Sequence, residues 1–153
     1  GSLILLRVSG NVKEEAVVES FTTSKSYYEG SPVEFDLRLK NNGNNHIQPE
    51  GTIVITNIFG QKITELPLNG LNVLPEAIRK MNTEWKFSAF LANRYTATLV
   101  ATYGQQNLPI SATTSFIIFP KLLMYIIGGV LVLIVLLFAN KKKIRRSLHN
   151  LTR

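Results

Sequence analysis

One stretch of the sequence is uncharged and almost wholly apolar. It extends over 18 residues from Leu122 to Ala139, and 13 of these residues are Leu, Ile, Val or Phe. As a helix it would be about 27 Å long, close to the roughly 30 Å hydrocarbon core of a bilayer. Its large side chains favour insertion by up to roughly 4 to 8 kcal/mol in total. A buried helix of a soluble core is the alternative interpretation, but length and composition favour a transmembrane helix over residues 120–140.

The residues that follow this stretch are strongly basic. Cytoplasmic flanks of membrane spans carry an excess of Lys and Arg. The pattern therefore predicts a single-pass protein of the cell membrane, with its N-terminal part outside the cell and residues 141–153 as a cytoplasmic tail. A basic run can also attract anionic lipid at about 1 kcal/mol per charge, but a topology signal is expected beside any single span. The residues that carry this prediction are Lys141, Lys142, Lys143, Arg145 and Arg146.

The net charge of +7 is a property of this tail. Residues 1–121 contain 11 basic and 10 acidic residues, a net charge of +1, whereas the tail contains 6 basic residues and no acidic ones. Nucleic-acid binding would require a basic stripe with interleaved aromatic residues on the folded part, and the sequence has no such stripe. It also lacks cysteine, which excludes a disulfide framework and a thiolate nucleophile.

Two segments alternate between apolar and polar residues. In residues 33–40, four apolar side chains alternate strictly with four charged ones. In residues 94–103, five apolar or aromatic side chains alternate with Arg94, Thr96, Thr98, Val100 and Thr102, four of which are polar. Period two places the apolar set on one face, so both segments predict half-buried antiparallel strands. The Asn- and Gly-rich run at 41–45 and the polar run at 104–107 predict tight turns after them.

Further segments of strand character complete the predicted fold. Because about seven short strands are separated by turn signals, the sequence predicts an all-β fold, an immunoglobulin-like antiparallel β-sandwich over residues 11–119, followed by a single C-terminal transmembrane α-helix. Residues 1–10 would end an upstream domain, form an edge strand or be the remnant of a signal core. No export signal is apparent, so we expect a processed or truncated piece of a longer chain. The further strand segments are 16–23, 52–57, 62–66, 78–85 and 110–118.

Two aromatic residues are candidates for structural roles. Tyr95 opens a predicted strand just after a corner at residues 91–93, where sandwich folds often place a tyrosine whose hydroxyl bonds the preceding backbone. We predict either this corner role or an ordinary core position for Tyr95. Trp85 lies on the same predicted strand face as Met81 and Thr83. We interpret Trp85 as a core or sheet-face residue rather than a ligand platform.

Three runs carry a family resemblance. They are Asn-Asn-Gly-Asn-Asn-His-Ile-Gln-Pro-Glu-Gly at 41–51, Ile-Phe-Gly at 58–60 and Asn-Arg-Tyr-Thr-Ala at 93–97. In this order they resemble bacterial surface proteins related to the WxL-interacting family, over about residues 1–146. The resemblance implies tandem immunoglobulin-like domains outside the cell, one transmembrane helix, a short basic tail, and binding of peptidoglycan, WxL-type surface proteins or host ligands. It implies that this piece is the membrane-proximal domain, and it assigns no ligand-contacting residue.

The sequence contains no recognisable catalytic or metal-binding constellation. His46 is the only histidine before the hydrophobic stretch, and a metal site or a triad needs several converging groups. Glu34 and Asp36 share a predicted strand face with Arg38 and Lys40, so a solvated charged face explains them better than a pair of catalytic acids. No nucleophile elbow, phosphate-binding loop or zinc-binding helix motif is present. We therefore expect a protein that is not an enzyme and uses no cofactor or metal.

These observations favour a non-enzymatic, membrane-anchored cell-surface module. It would act as a membrane-proximal stalk or as a binding domain for a protein or cell-wall polymer ligand, with the lipid bilayer as its first partner. The alternative is an accessory single-span subunit of a membrane protein complex, in which the helix makes the contacts. Gly128 and Gly129 are adjacent rather than four residues apart, so the helix lacks the common self-association motif, although it could admit a partner helix. A membrane-anchored hydrolase that depends on His46 is a more distant third hypothesis.

Overall fold

The computed structural model describes residues 11–87 and 92–139. Predictions for residues 1–10, for the link at 88–91 and for the basic tail, including its five topology residues, lie outside the described residues. The elements in chain order are β1 (Ala16–Thr23), β2 (Tyr27–Tyr28), β3 (Val33–Asn41), β4 (Glu50–Asn57), β5 (Lys62–Pro67), β6 (Ile78–Trp85), β7 (Asn93–Tyr103), β8 (Leu108–Ile118) and α1 (Lys121–Ala139).

The strands form two sheets. One has the order β1-β3-β6, and the other has the order β2-β8-β7-β4-β5. The prediction of a mostly β protein with a single C-terminal apolar helix is confirmed for the described residues. Two details differ from the predicted seven-stranded antiparallel arrangement: β2 is an eighth strand that was not among the predicted segments, and it pairs with β8 in parallel. A strand of two residues is too short to display any alternation.

The two alternating segments form strands with one buried face. The apolar side chains of β3 are buried, while its charged side chains point outward. On that outer face the Asp36 carboxylate forms an ion pair with the Lys80 ammonium at 2.9 Å, and the Arg38 guanidinium forms one with the Glu19 carboxylate at 3.2 Å. In β7 every second residue from Tyr95 to Tyr103 is buried. The inner faces of both sheets therefore supply one common core.

The loops opposite the helix are fixed by one buried polar side chain, Asn41. Its side chain is fully buried and makes three hydrogen bonds. The Asn41 amide donates to the carbonyl oxygens of Asn45 at 2.8 Å and Val73 at 3.0 Å, and its oxygen accepts from the Gly43 N–H at 2.9 Å. A buried polar group is stabilised only when it is paired in this way. The predicted turn at 41–45 is thereby bonded to the link between β5 and β6.

The C-terminal helix α1 is exposed along its whole length. It comprises 19 residues, 18 of which are uncharged, and none of them is buried. A soluble core helix with this composition would be covered by other elements. Within the described residues, α1 is the one helix that is long and apolar enough to cross a membrane, as the sequence predicts.

Candidate functional site: the end of the sandwich beside the helix

The strand registers bring one end of every long strand close to the start of α1. Asn57 of β4 pairs with Tyr95 of β7, and Tyr95 pairs with Phe116 of β8. In the other sheet, Trp85 lies at the corresponding end, since its ring contacts the Phe116 ring across the core at 6.2 Å between centroids. We call this the proximal end, and the opposite one the distal end. The proximal end comprises residues 24–34, 57–63, 84–87, 92–95 and 115–121, and the distal end comprises residues 11–15, 40–50, 67–77 and 101–108.

The short strand β2 fastens the last strand immediately before the helix. The Ile117 N–H donates to the Ser26 carbonyl at 3.0 Å, and the Phe119 N–H donates to the Tyr28 carbonyl at 2.8 Å. The Tyr28 ring is buried, and its hydroxyl lies 3.0 Å from the Ser24 hydroxyl and accepts from the Lys25 N–H at 3.1 Å. The chain that enters α1 is therefore held by backbone hydrogen bonds until two residues before the helix begins.

An ion pair and a shallow cavity lie at this junction. The Lys121 ammonium, on the first residue of α1, is 3.2 Å from a Glu29 carboxylate oxygen. Both side chains are largely exposed, so the pair contributes about 0 to 1 kcal/mol. The cavity has a volume of about 600 Å³ and is open to solvent. Its lining includes Ser24, Lys25, Tyr28, Glu29, Pro32 and Lys121.

Trp85 and Tyr95 lie in an aromatic cluster in the proximal half of the core. The two rings meet edge to face at 5.5 Å, and the Tyr95 ring stacks on the Phe116 ring at 5.8 Å. Phe35 contacts Phe116 from the opposite sheet at 5.7 Å, and Phe87 packs on Trp85 at 4.9 Å. Aromatic pairs of this geometry contribute about 0.5 to 1.5 kcal/mol each beyond the area that they bury. The cluster joins the two sheets beside the helix.

Burial governs the chemistry of Tyr95. Removal of the phenol from water disfavours its charged form, which raises the pKa of Tyr95 above its ordinary value. The predicted hydrogen bond from this hydroxyl to the preceding link concerns residues 88–91, outside the described residues, and stays a prediction. Tyr28 is a tyrosine that does bond nearby backbone. No residue pattern around Tyr28 indicates this role, because the hydrogen bonds that define it depend on the fold.

The turn between β4 and β5 presents two apolar residues to solvent at the same end. Ile58 is 62% exposed and Phe59 is 79% exposed. The Asn57 side-chain oxygen accepts hydrogen bonds from the Phe59 N–H at 2.9 Å and from the Gln61 N–H at 3.0 Å. Gly60 takes a positive φ of 76°, which favours glycine. The turn is therefore shaped by its own hydrogen bonds, with Phe59 at its tip.

The carboxylates and the histidine do not converge on a metal site. Among the described residues, no three His, Cys, Asp or Glu side chains are placed to hold a metal ion. His46 lies at the distal end, and the aromatic cluster lies at the opposite, proximal end. Glu34 lies directly opposite Glu84 across β3 and β6, a neighbour that the sequence pattern did not reveal. The arrangement at the proximal end is suited to holding and orienting an attached helix.

Comparisons with known proteins indicate the fold alone. No protein-family model matches the sequence, and no curated protein matches it. A solved structure of the Pseudomonas fluorescens alkylpurine DNA glycosylase AlkC, bound to DNA containing an abasic-site analogue, is similar over 70% of this chain, with a TM-score of 0.52 and 9% identity. This chain covers only 31% of the glycosylase, and at such identity the likeness shows a shared arrangement of strands.

Two further solved structures are more distant. A CARDB domain from Pyrococcus furiosus, in complex with di-metal ions, has a TM-score of 0.48 and 13% identity, and the match covers 74% of this chain and all of that domain. A β-glucuronidase of glycoside hydrolase family 2 has a TM-score of 0.45 and 9% identity, over 65% of this chain and 11% of the enzyme. Neither likeness carries an argument about what this chain does.

Proposed function

We propose that this chain is a non-enzymatic, membrane-anchored cell-surface module. Its β-sandwich is a membrane-proximal stalk or binding domain for a cell-wall polymer or a surface protein, and α1 is its anchor in the cell membrane. The observation that carries the proposal is the exposed helix α1, which begins three residues after the last strand and is uncharged from Leu122 to Ala139. An apolar surface of this extent is stable in hydrocarbon but costly in water.

The strand order supports an immunoglobulin-like sandwich as the module. In such folds the first, second, fourth and fifth main strands share one sheet and the third, sixth and seventh share the other, to which variable-type domains add strands beside the third. Here β1, β3 and β6 match the first, second and fifth strands, and β4, β7 and β8 match the third, sixth and seventh. β5 lies beside β4 in the second sheet, as the added strand of a variable-type domain does. The short strand β2 continues from β1 but pairs with β8 in the opposite sheet. Sandwiches of this kind often serve as cell-surface domains.

The charge distribution supports an orientation with the sandwich outside the cell. Residues 141–153 contain six basic and no acidic residues, whereas residues 1–121 carry a net charge of +1. Short basic segments beside a span remain in the cytoplasm. The hydrogen bonds from β2 to the end of β8 and the Lys121–Glu29 ion pair suit a stalk, because they fasten the sandwich beside the point where the chain enters the membrane.

The helix surface favours one second candidate, an accessory subunit of a membrane protein complex. A Cβ added at Gly128 or Gly129 would meet no atom within 4 Å. The helix therefore has a narrow point at which the backbone of a partner helix could approach closely. In this case the helix, rather than the sandwich, would make the functional contact.

Cysteine accessibility in intact cells tests the proposed topology, since the natural chain has no cysteine. We expect a membrane-impermeant maleimide to label Gln106→Cys, in the exposed distal turn, in intact cells. We expect the same reagent to label Ser147→Cys, in the tail, only after the membrane is permeabilised. The reverse pattern, or extraction of the chain from membranes at alkaline pH, would contradict the proposal.

Purification of the chain in mild detergent, with identification of what co-purifies, separates the two candidate functions. The natural chain is compared with a chain whose residues 122–139 are replaced by an unrelated span. A wall polymer or surface protein that co-purifies with both the natural and the exchanged chain supports the module. Integral membrane proteins that co-purify only with the natural helix support the accessory subunit.

A further inference from the structure

The exposed aromatic residues of the sandwich are confined to one end. In the described residues before α1, the exposed aromatic side chains are Phe59 and Tyr27. Both belong to the proximal end, while the exposed large apolar side chains of the distal end are aliphatic ones such as Leu74. Trp and Tyr are enriched at the water interface of membranes because each combines an apolar ring with a polar O–H or N–H group. Phe is common on the apolar side of segments that lie in this interface.

Phe59 lies at the tip of a turn that leaves the proximal end beside the last strand. Asn57 and Phe116 share one level across the sheet, since both pair with Tyr95. Ile118 lies two residues beyond Phe116, about 7 Å along a strand, and Phe59 projects beyond Asn57 in a tight turn that the Gly60 N–H closes by donating to the Asn57 carbonyl at 3.0 Å. The lateral separation of β4 from β8, with β7 between them, is about 10 Å. The turn therefore projects beside the exit of the chain towards α1.

The surface that α1 would enter is within reach of this turn. From Ile118 to Lys121 the chain spans at most about 10 Å. The headgroup layer on each side of a bilayer is about 5 to 8 Å thick. A side chain that projects beyond the level of Ile118 can therefore contact this layer when the helix occupies the hydrocarbon core.

The charges of the two ends differ in sign. Among the described residues, the proximal end contains five basic and three acidic residues, whereas the distal end contains two basic and four acidic ones. A positive surface beside a bilayer is attracted to anionic headgroups over about a Debye length. The basic residues of the proximal end are Lys25, Lys62, Lys86, Arg94 and Lys121.

We propose that the β4–β5 turn is a second membrane contact, in which Ile58 and Phe59 insert into the headgroup layer of the leaflet that α1 enters. Lipid is the occupant that the features favour, because the apolar tip lies at the same end of the sandwich as the helix anchor, and this end has a net charge of +2. The turn and α1 together would set the tilt of the sandwich on the membrane, which a flexible tether alone would leave free. The proposal rests on the membrane anchor of the proposed function.

Fluorescence quenching in vesicles tests this contact on the full chain. A single cysteine at Gln61, next to the tip, carries an environment-sensitive fluorophore, and Gln106→Cys carries the same fluorophore at the distal end. The vesicles contain phosphatidylcholine and phosphatidylglycerol, with a share of lipid that bears a nitroxide quencher near the headgroup. We expect quenching at position 61 to be several-fold stronger than at position 106. Phe59→Ser in the Gln61→Cys chain should reduce quenching to the level of position 106.

The outcomes separate this proposal from the anchor on which it rests. Alkaline extraction is performed on each chain, and the emission of the single Trp85, in the proximal core, reports that the sandwich is folded. A folded chain that stays in the membrane but shows equal quenching at both positions overturns the contact and leaves the anchor intact. Quenching that persists unchanged in Phe59→Ser also overturns it. A chain extracted from the membrane contradicts the proposed function itself.

Discussion

Replacement of Asn41 by alanine should lower the free energy of unfolding far more than a substitution that removes three hydrogen bonds at the surface of the sandwich. Asn41 is fully buried and bonds Gly43, Asn45 and Val73. The Val73 carbonyl keeps a second donor, the Ile47 N–H at 3.0 Å. The Gly43 N–H has no such reserve, because Asn41 supplies its acceptor in the buried interior.

The expected loss follows from these partners. A buried group left unsatisfied costs about 1 to 3 kcal/mol, and each of the other two lost hydrogen bonds about 0.5 to 1.5 kcal/mol. The total is about 2 to 6 kcal/mol, compared with a stability of about 5 to 15 kcal/mol for a typical domain. With a urea dependence of about 2 kcal/mol per M, a loss of about 4 kcal/mol lowers the unfolding midpoint by about 2 M.

Urea unfolding of the full chain in a mild non-ionic detergent measures this loss. Trp85 is the only tryptophan and is buried, so its emission reports the sandwich rather than the helix. Asn57→Ala is the matched control, because the Asn57 side chain also makes three hydrogen bonds, but at a solvent-exposed turn. Water can replace those bonds, and we expect a cost of about 1 kcal/mol or less.

The comparison of the two variants decides the argument. If Asn41→Ala and Asn57→Ala lower the midpoint equally, burial does not amplify the loss, and the reasoning about Gly43 is refuted. If Asn41→Ala changes the slope of the transition rather than its midpoint, the variant has altered the unfolded or native ensemble instead, which also contradicts the expected mechanism.

Two further predictions use the same unfolding measurement. Gly51→Ala should lower the free energy of unfolding by about 1 to 3 kcal/mol or more, because an added Cβ would overlap with the Val100 carbonyl of the paired strand. Gly30→Ala, where the Cβ would meet nothing, should change it by no more than about 0.5 kcal/mol. Equal effects of the two substitutions would contradict the packing argument. Burial raises the pKa of Tyr95, so the folded state holds this proton more tightly than the unfolded chain does. The stability that this difference contributes is fully present below the ordinary tyrosine pKa of about 10, and it is lost as the pH rises through the folded-state pKa. The natural chain should therefore lose more stability between neutral and alkaline pH than Tyr95→Phe, and identical pH slopes would refute this.

The exposed proximal turn bears on how such a module would stand on a membrane. A single helix fixes the attachment point but permits a range of tilts. A second contact at Phe59, with the ion pair between Lys121 and Glu29 at the helix start, would restrict that range. A stalk of this kind would hold its distal loops, including the turn bonded by Asn41, at a defined height above the membrane.

Local patterns in the sequence were sufficient to predict the strands that bury one face. Residues 33–40 alternate because β3 has one side in the core and one in water, and this period is visible without any partner strand. The length and composition of the uncharged run from Leu122 to Ala139 likewise predict an apolar helix without reference to any other segment, and this run forms α1. The basic tail predicts an orientation by the same kind of local rule.

The tertiary structure alone decided which of these elements meet, and at which end. The parallel pairing of Tyr27 and Tyr28 with β8 joins residues about 90 positions apart in the sequence, and nothing in two residues encodes that partner. The same is true of the Asn41 bond to Val73 and of the placement of Phe59 at the end of the sandwich from which the helix starts. Hydrophobic periodicity reports the environment of each face, whereas pairing and register depend on the summed packing of the whole core, so the candidate membrane contact became visible only once the strands were assembled.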